Sequence, residues 1–521
     1  MQKRVLNKTH RSVSWLFVLT TLLLPVFVQA ESDTVRECHN LYRLTDLSHA
    51  VEPGVWVEAA DGVPAHCRLR GVVNRAIRVE VTLPESWNRR MMFSTVGGNA
   101  GMFGDTRSLL SKGFAMATTD TGHEGQDSGF MRQPEALIDY AYRGVHLATV
   151  FAKQVITSYY GNDINHAYLQ GCSNGGRAAL MEALRFPQDY DGIIAGAPAF
   201  RLQEFFPWTL NVQRAQLANP LTLESLKILG AASRESCDLL DGVEDGVIND
   251  PRQCTADVFE LTKLECRAGQ ADGCLTAGQI ETARTMYTDL VDADGTVISP
   301  GVMPGAEDAT DWAIWLVGER NYNAALGLAE GPLNGLVLKT FADLLYRDVT
   351  LDIDVFDPLA DRGKFDDVAA FIDIDSADLN EFRAQGGKLL MYQGWNDYPL
   401  RPQRAIDYLA EAEAASGGSK ATSDFFRLFM VPGMNHCGGG PGPWLADYVE
   451  PIVSWVEKDL APERIVGTQP GFVNPLYTAD DESSVDGARI FTRPLCSFPQ
   501  YAKYSEQGNV NDGDNWRCVS D

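Results

Sequence analysis

The amino-acid sequence predicts an α/β fold, in which a mostly parallel β-sheet is covered by helices and interrupted by one large insertion. Between about residues 68 and 200, short β-rich runs alternate with helical patterns, and the alternation returns after residue 388. The intervening stretch of about 190 residues carries acidic loops, four cysteines and glycine or proline turns without a clean strand–helix repeat. The alternation predicts the sheet, and the gap predicts the insertion.

Residues 1–30 have the pattern of a secretory signal peptide. Four basic residues precede an apolar run from Val13 to Val28, and Ala30 ends a segment typical of a cleavage site. A retained membrane anchor is the alternative, but the run is shorter than the roughly 18 to 20 apolar residues that span a bilayer. We expect cleavage, a secreted or periplasmic protein, and no membrane contact afterwards.

Length and charge limit the class of protein. About 490 residues remain after the leader, more than the ~250–300 that one hydrophobic core usually holds. The chain has 70 acidic and 44 basic residues, a formal net charge of −26. Because phosphate backbones would repel such a surface, we expect no nucleic-acid partner.

Seven segments are predicted as strands of the sheet, and one long amphipathic helix is predicted over 134–159. The strands are 77–83, 90–96, 114–118, 166–170, 192–195, 388–394 and 426–431. We therefore expect one sheet domain formed by 31–202 and 384–521, with an inserted lid domain over 203–383.

A G-x-S-x-G sequence follows one predicted strand and precedes a predicted helix. Gly171-Cys172-Ser173-Asn174-Gly175 has the context of a nucleophile elbow, typical of the α/β-hydrolase fold. A plain glycine-rich turn with an N-capping serine is the alternative.

The order of a serine triad in this fold is serine, acid, histidine. Of eight histidines, only His436 follows Ser173, and it lies in a glycine-rich loop after a predicted strand. Asp397 lies in the turn after the strand 388–394, where its carboxylate would orient the imidazole. Ser173, Asp397 and His436 are therefore the predicted catalytic residues. The alternatives are a packed or surface histidine and an ordinary Asn-Asp turn.

Two backbone N–H groups are needed to stabilise an oxyanion. Asn174 is one candidate by its position after the serine, and Gly98, in the loop after the strand 90–96, is the other.

Ten cysteines, an even number, favour five disulfides in an oxidising compartment. Cys172 precedes Ser173 and Cys437 follows His436, so an assembled triad would bring these two cysteines together. The resulting bond would join the serine turn to the histidine loop.

A loop in the insertion is rich in hard oxygen ligands. Asp238, Asp241 and Asp245 lie among glycines between Cys237 and Cys254. The pattern suits Ca²⁺ but is not that of an EF-hand, and an acidic surface loop closed by a disulfide is equally compatible.

These motifs resemble those of the tannase and feruloyl esterase family, which also contains hydrolases of mono(hydroxyethyl) terephthalate. The resemblance covers nearly the whole mature chain and is most specific at 119–123, 171–177, 185–199, the acidic loop and 433–437. It implies an α/β-hydrolase sheet with a lid and a Ser173–Asp397–His436 triad joined by Cys172–Cys437. It also implies structural Ca²⁺ held by Asp238, Asp241, Val243, Asp245 and Val247, and disulfides Cys38–Cys67, Cys237–Cys254, Cys266–Cys274 and Cys496–Cys518.

The resemblance implies hydrolysis of a small aromatic ester, and we expect a hydroxycinnamoyl ester such as a feruloyl ester. The alternatives are galloyl esters, mono(hydroxyethyl) terephthalate, or a secreted binding protein without activity. Six residues of the insertion, expected to form its core or surface, are also candidates for the ring pocket: Trp312, Trp315, Tyr322, Phe341, Tyr346 and Arg347.

Overall fold

The structure is a computed structural model that describes residues 33–318, 333–347, 357, 362–471 and 490–520. The predicted leader and Tyr322 lie outside the described residues.

The strands carry the numbers used below. They are β1 (His49–Val51), β2 (Val55–Val57), β3 (His66–Val73), β4 (Ile77–Pro84), β5 (Arg90–Ser94), β6 (Ala115–Thr119), β7 (His166–Cys172), β8 (Gly192–Gly196), β9 (Leu290–Val291), β10 (Val297–Ser299), β11 (Lys388–Gly394), β12 (Phe426–Val431), β13 (Leu445–Ala446), β14 (Arg464–Pro470), β15 (Ile490–Cys496), β16 (Tyr501–Tyr504) and β17 (Trp516–Val519).

The main sheet has ten strands among the described residues, in the order β1-β3-β4-β6-β5-β7-β8-β11-β12, with β2 also paired to β3. The pairs from β6 through β5, β7, β8 and β11 to β12 are parallel. β4 pairs antiparallel with both β3 and β6. This mixed sheet with its helices confirms the predicted α/β-hydrolase fold, and the seven predicted strands are all present in it.

The α-helices have the following bounds. They are α1 (Asp33–His39), α2 (Pro134–Ile138), α3 (Gly144–Tyr160), α4 (Asn174–Arg185), α5 (Leu202–Ala218), α6 (Leu223–Cys237), α7 (Ala277–Tyr287), α8 (Thr310–Trp312), α9 (Leu333–Phe341), α10 (Arg362–Ile372), α11 (Asn380–Ala384), α12 (Pro402–Ser416), α13 (Ser419–Ser423) and α14 (Val449–Lys458). Of these described helices, none is both long and apolar enough to cross a bilayer.

Both faces of the sheet are buried. Met91 and Phe93 of β5 belong to an apolar cluster that includes residues of α3, α4 and α12. Met92 belongs to a second cluster, which includes Ile452 and Trp455 of α14. Because successive side chains of a strand point to opposite faces, a parallel strand covered on both sides has apolar residues on both faces.

The predicted helix over 134–159 is present but not continuous. α2 and α3 are joined by a π-helical turn, Asp139–Arg143. Such a bulge shifts the helical register locally and is frequent at functional sites. Apolar periodicity does not report it, because the pattern continues on both sides.

The chain between β8 and β11 supplies most of a third apolar cluster, whose fully buried members include Trp208, Leu229 and Met286, and Tyr398 joins it from beyond β11. A further cluster joins residues of α5, α9 and α10 to Met131 and Tyr140. The insertion therefore packs partly on itself and partly over the carboxyl ends of the parallel strands. The domain limits at residues 203 and 383 stay predictions.

Candidate active site

Ser173 lies at the sharp turn between β7 and α4. Its backbone has φ 64° and ψ −126°, a conformation that a residue with a side chain adopts only under constraint. A Cβ on Gly171 would lie 1.9 Å from Thr95 Oγ1, and one on Gly176 would lie 2.3 Å from the carbonyl oxygen of Gly196. The two glycines are therefore required for α4 and the turn to pack this closely.

His436 and Asp397 are brought together from two neighbouring strand ends. Asp397 follows β11 and His436 follows β12. The distance from His436 Nδ1 to Asp397 Oδ2 is 2.9 Å, and Asp397 is fully buried. Asp397 also accepts hydrogen bonds from Gln393 Nε2 at 3.0 Å and from the N–H of Leu400 at 2.9 Å. These donors fix the carboxylate in an orientation that holds the imidazole.

The pKa of His436 is raised above its ordinary value. Burial lowers it, but the negative charges of Asp397 and Asp311, together with the Asp397 hydrogen bond, outweigh burial, while the positive charge of Arg401 opposes them. The charged form of the imidazole is thus stabilised by its surroundings, as a general base requires once it has taken up a proton.

The five disulfides implied by the resemblance are all formed. They are Cys38–Cys67, Cys172–Cys437, Cys237–Cys254, Cys266–Cys274 and Cys496–Cys518. Cys172–Cys437 closes a sequence separation of 265 residues and joins the turn of Ser173 to the loop of His436.

Gly98 and Asn174 line the same cavity as Ser173. Among the described residues, neither backbone N–H has a protein acceptor, so both are free to donate to a ligand oxygen. The Asn174 side chain accepts from Arg177 Nε at 2.8 Å, and Arg177 is fully buried.

The loop of Gly98 is held by side chains that sequence reasoning missed. Gln126 accepts from the N–H of Asn99 at 2.8 Å and donates to the carbonyl of Ala100 at 2.9 Å. Tyr140, in the π-helical turn, donates to the carbonyl of Gly98 at 3.2 Å. His123, in the stretch 119–123 singled out by the resemblance, contacts the carbonyl of Asn99 through Nε2 at 2.6 Å. These contacts are long-range in sequence and leave no local signal.

A cavity of about 650 Å³ opens onto Ser173 and His436. The described residues that line it are mainly apolar. The inserted segment contributes Phe205, Trp315, Leu336, Val337 and Phe341. Asp105 and His436 are the only described lining side chains that can carry a charge, apart from the tyrosine hydroxyl.

The candidate ring-pocket residues of the insertion lie in different places. Trp315 and Phe341 line the cavity, which corrects the expectation that they only form core or surface. Trp312 is buried in the insertion's own cluster. Tyr346 is partly buried and Arg347 is exposed. Whether an aromatic residue reaches the cavity depends on how the helices cross, which their spacing does not reveal.

The acidic loop forms between Cys237 and Cys254 as a tight turn. Asp238, Asp241 and Asp245 each accept a hydrogen bond from a backbone N–H of the loop. Asp238 Oδ1 and Asp241 Oδ2 are buried and have no hydrogen-bond partner among the described residues. Burial raises the pKa of Asp241 to about 7. Arg493, which is fully buried, donates to Asp245 Oδ2.

Two orphaned, buried carboxylate oxygens within one loop fit a hard cation, which prefers oxygen ligands. The guanidinium of Arg493 already neutralises part of the charge at Asp245. The residue types of the loop thus fit calcium.

The order of the strands, the strained serine after β7 and the histidine after β12 define a protein of the α/β-hydrolase class. The family model described as "Tannase and feruloyl esterase" matches residues 63–519. The chain belongs to this family and is a carboxylic ester hydrolase.

Three relatives cover most of the chain. An uncharacterized esterase of Xanthomonas campestris pv. campestris is 34% identical over 509 residues, covering 88% of this chain and 85% of the relative. The mono(2-hydroxyethyl) terephthalate hydrolase of Piscinibacter sakaiensis is 29% identical over 553 residues (90% and 88%). A probable feruloyl esterase B-2 of Aspergillus terreus is 28% identical over 528 residues (91% and 90%).

Solved structures of the family share the fold. An esterase from Aspergillus oryzae superposes with a TM-score of 0.80 at 26% identity, covering 93% of this chain and all of the other. Feruloyl esterase B from the same organism gives 0.79 at 23% identity, with the same coverage.

Proposed function

We propose that the chain hydrolyses aromatic carboxylic esters through Ser173, with His436 as general base and Asp397 orienting the imidazole. One observation carries the proposal. The imidazole bonded to a fully buried carboxylate lines the same cavity as a serine held at a strained turn.

In this mechanism Ser173 Oγ attacks the ester carbonyl carbon while its proton passes to His436 Nε2. The N–H groups of Gly98 and Asn174 stabilise the negative charge on the carbonyl oxygen. The C–O bond then breaks, and the alcohol leaves with the proton from His436. Water attacks the acyl-enzyme in the same way, which releases the acid and returns the proton to Ser173.

The cavity favours an uncharged aromatic ester, such as a hydroxycinnamoyl ester. Among the described residues that line it, no Lys or Arg is present to pair with a carboxylate, and Asp105 would repel one. This disfavours mono(hydroxyethyl) terephthalate, which carries a free carboxylate.

A galloyl ester is disfavoured for a different reason, because its three ring hydroxyls need polar partners. Several polar groups of the described walls are already engaged. Thr95 Oγ1 donates to backbone carbonyls, and Asn99 and Gln126 bond to each other's backbone. A feruloyl ring, with one hydroxyl and one methoxy group, places fewer demands on an apolar cavity.

The test compares release of acid from methyl ferulate, methyl gallate and mono(hydroxyethyl) terephthalate by wild type, Ser173→Ala and the control Ser376→Ala, which alters an exposed serine. We expect fastest turnover of methyl ferulate, loss of activity in Ser173→Ala and wild-type activity in the control. Faster turnover of methyl gallate or of mono(hydroxyethyl) terephthalate would overturn the proposed preference for a feruloyl ester. Full activity in Ser173→Ala would overturn the serine mechanism. No turnover of any ester, together with no fluorophosphonate labelling of the wild type, would favour the inactive binding protein.

We further propose that Asp238, Asp241 and Asp245, with the carbonyls of Val243 and Val247, hold a structural Ca²⁺. The two orphaned carboxylate oxygens support it. Bound calcium would stabilise the folded loop by mass action and take no part in the ester chemistry.

The measurement is the melting temperature with calcium and with EGTA. We expect EGTA to lower that of wild type and of Asp272→Asn, a control at an exposed acid outside the loop, and to leave that of Asp241→Asn unchanged. Equal responses from all three proteins would count against the site.

We also propose export to an oxidising compartment, because five disulfides form and persist there. Fractionation of expressing cells should find the protein outside the cytoplasm with its thiols oxidised. A reduced cytoplasmic protein would contradict export.

A further inference from the structure

Asp311, a carboxylate of the inserted segment, reaches the catalytic loops. It is only 6% exposed, and it lies in α8. Its Oδ2 accepts a hydrogen bond from the N–H of His436 at 2.8 Å and another from the N–H of Tyr398 at 3.3 Å. Tyr398 directly follows Asp397, so one carboxylate oxygen holds the backbone of the base and the backbone beside the acid.

The loop that carries His436 also accepts hydrogen bonds from α8. With its amide oxygen turned toward α8, Asn435 accepts from the N–H groups of Thr310 and Asp311 at 3.2 and 3.3 Å. Asn435 is 1% exposed. The two segments are therefore joined by reciprocal bonds, a carboxylate on one side and an amide on the other, in a place from which water is excluded.

The charges around Asp311 are closely coupled. Burial and the neighbouring carboxylate of Asp397 raise the pKa of Asp311 to about 7, while His436 and the two backbone donors oppose that rise. Arg401, also buried, has its pKa lowered to about 10 by burial, opposed by Tyr398, Asp397 and Glu204. The groups that share this region are thus Asp311, Asp397, His436, Arg401, Tyr398 and Glu204.

We infer that Asp311 is a positioning residue for the catalytic histidine, through which the inserted segment completes the active site. The inference rests on the proposed serine mechanism. Asp311 touches no substrate in it. Its side chain fixes the backbone of His436 and, where it is ionised, adds negative charge that favours the imidazolium.

Two substitutions separate these two effects. Asp311→Ala removes both hydrogen bonds and leaves two buried N–H groups without acceptors, so we expect kcat to fall on the order of ten- to a hundred-fold with little change in KM. Asp311→Asn keeps an amide oxygen in place but removes the charge, so it should recover part of kcat.

The pH profile gives a readout that a purely structural role would not move. His436 acts as a base only when neutral, so activity rises with pH through its pKa. Asp311, whose own pKa is about 7, is charged over the upper part of this range, and there its charge raises the pKa of His436. The acid side of the pH profile, or acid limb, in Asp311→Asn should therefore move to lower pH by about half a unit. The limb is measured for methyl ferulate hydrolysis and, independently of substrate, for the rate of Ser173 labelling by a fluorophosphonate.

The matched control is Asp308→Asn, which removes a charge from the same segment. Asp308 accepts two hydrogen bonds of 2.6 Å from Arg234 on α6. The low-pH part of the activity profile of Asp308→Asn should coincide with that of wild type.

The outcomes are distinct. If Asp311→Ala keeps kcat within two-fold, or if Asp311→Asn keeps the wild-type acid limb while Ser173 labels normally, the inference is overturned and the serine mechanism stands. If wild type is not labelled at all, the mechanism itself has failed. Should Asp311→Ala not fold, the isosteric Asp311→Asn still decides through its pH limb.

Discussion

At the residue scale, single side chains are held by groups that are distant in sequence. Arg177 donates to the carbonyls of Tyr140, Ala141 and Ile372 and to the side chain of Asn174. One buried guanidinium thus ties α4 to the π-helical turn and to the end of α10. The buried charge of Arg177 is tolerated because it is well supplied with hydrogen-bond acceptors, which makes this residue sensitive to substitution.

A buried acid away from the cavity gives a prediction about pH. Glu182 on α4 is 1% exposed, and its carboxyl has no hydrogen-bond donor among the described residues. Burial raises its pKa well above the ordinary value, and the carboxylate of Asp189 raises it further, whereas Lys153 opposes the shift. The folded protein therefore keeps Glu182 protonated at a pH where the unfolded chain has lost the proton.

The raised pKa of Glu182 makes the stability of the folded protein depend on pH. A raised pKa contributes stability that is present below about pH 4.5, the value for an ordinary Glu, and is lost as pH rises toward the folded pKa. Glu182→Gln removes this penalty, so its melting temperature should exceed that of wild type increasingly between pH 5 and pH 8. Thermal melts of both proteins across that range test it, with Glu37→Gln at an exposed position as control. A difference that does not grow with pH would contradict the assignment.

At the scale of elements, the carboxyl ends of β7, β11 and β12 hold the serine, the acid and the histidine, and β5 ends in the loop of Gly98. Parallel strands bring their carboxyl ends to one edge of the sheet, and the connecting loops meet there. β5 ends at Ser94, two residues earlier than predicted. Thr95 then bonds to the carbonyls of Gln170 and Gly175 and so joins the loop to the serine turn.

The close packing of α4 on β8 gives a second prediction. Gly176→Ala would place a methyl group 2.3 Å from the Gly196 carbonyl oxygen and 3.1 Å from Pro198 Cα, both of them backbone atoms. The helix must move, which should cost about 1–3 kcal/mol of stability and displace Ser173, with kcat lowered more than ten-fold.

Gly335→Ala is the matched control for that substitution. Gly335 lies in α9, is exposed, and a Cβ there would meet nothing within 4 Å. Because alanine favours a helix over glycine by about 1 kcal/mol, this variant should be as stable as wild type or more so. Denaturant unfolding and ester hydrolysis of the two variants are the measurements, and equal behaviour would argue against the close contact.

At the scale of the whole molecule, the cavity at Ser173 and His436 is lined by residues from both halves of the sheet and from the segment between β8 and β11. The disulfide Cys172–Cys437 spans 265 residues, whereas Cys266–Cys274 spans 8. In the chain-entropy account a cross-link stabilises by restricting the unfolded chain, and more so for a longer loop.

The two bonds should therefore differ in their contribution. Replacing both cysteines by serine should lower the free energy of unfolding by about 5 kcal/mol for Cys172–Cys437 and about 2–3 kcal/mol for Cys266–Cys274. Denaturant midpoints of the two double variants test this. Comparable losses would show that local contacts, and not loop length, determine the contribution of the long bond.

The sequence by itself determined the parts that depend on local pattern. Short β-rich runs that alternate with helical patterns predicted the strands, and the glycine spacing around Ser173 predicted the tight turn. Chain order left His436 as the only histidine after the serine. Cysteine placement predicted the bond that joins the two loops. These signals are readable because the apolar pattern, the turn glycines, and the cysteines beside Ser173 and His436 are each visible in a short stretch of sequence.

Only the tertiary structure decided which distant groups lie at the proposed site. Asp311 is one acid among many in a segment without a repeat, and nothing near it in the chain marks it. Trp315 and Phe341 reach the cavity through helix crossings that periodicity does not encode. Tyr140 reaches Gly98 through a π-helical turn whose neighbours read as an ordinary helix. Each of these contacts joins residues far apart in the chain, and their positions follow from packing, which is a property of the whole fold.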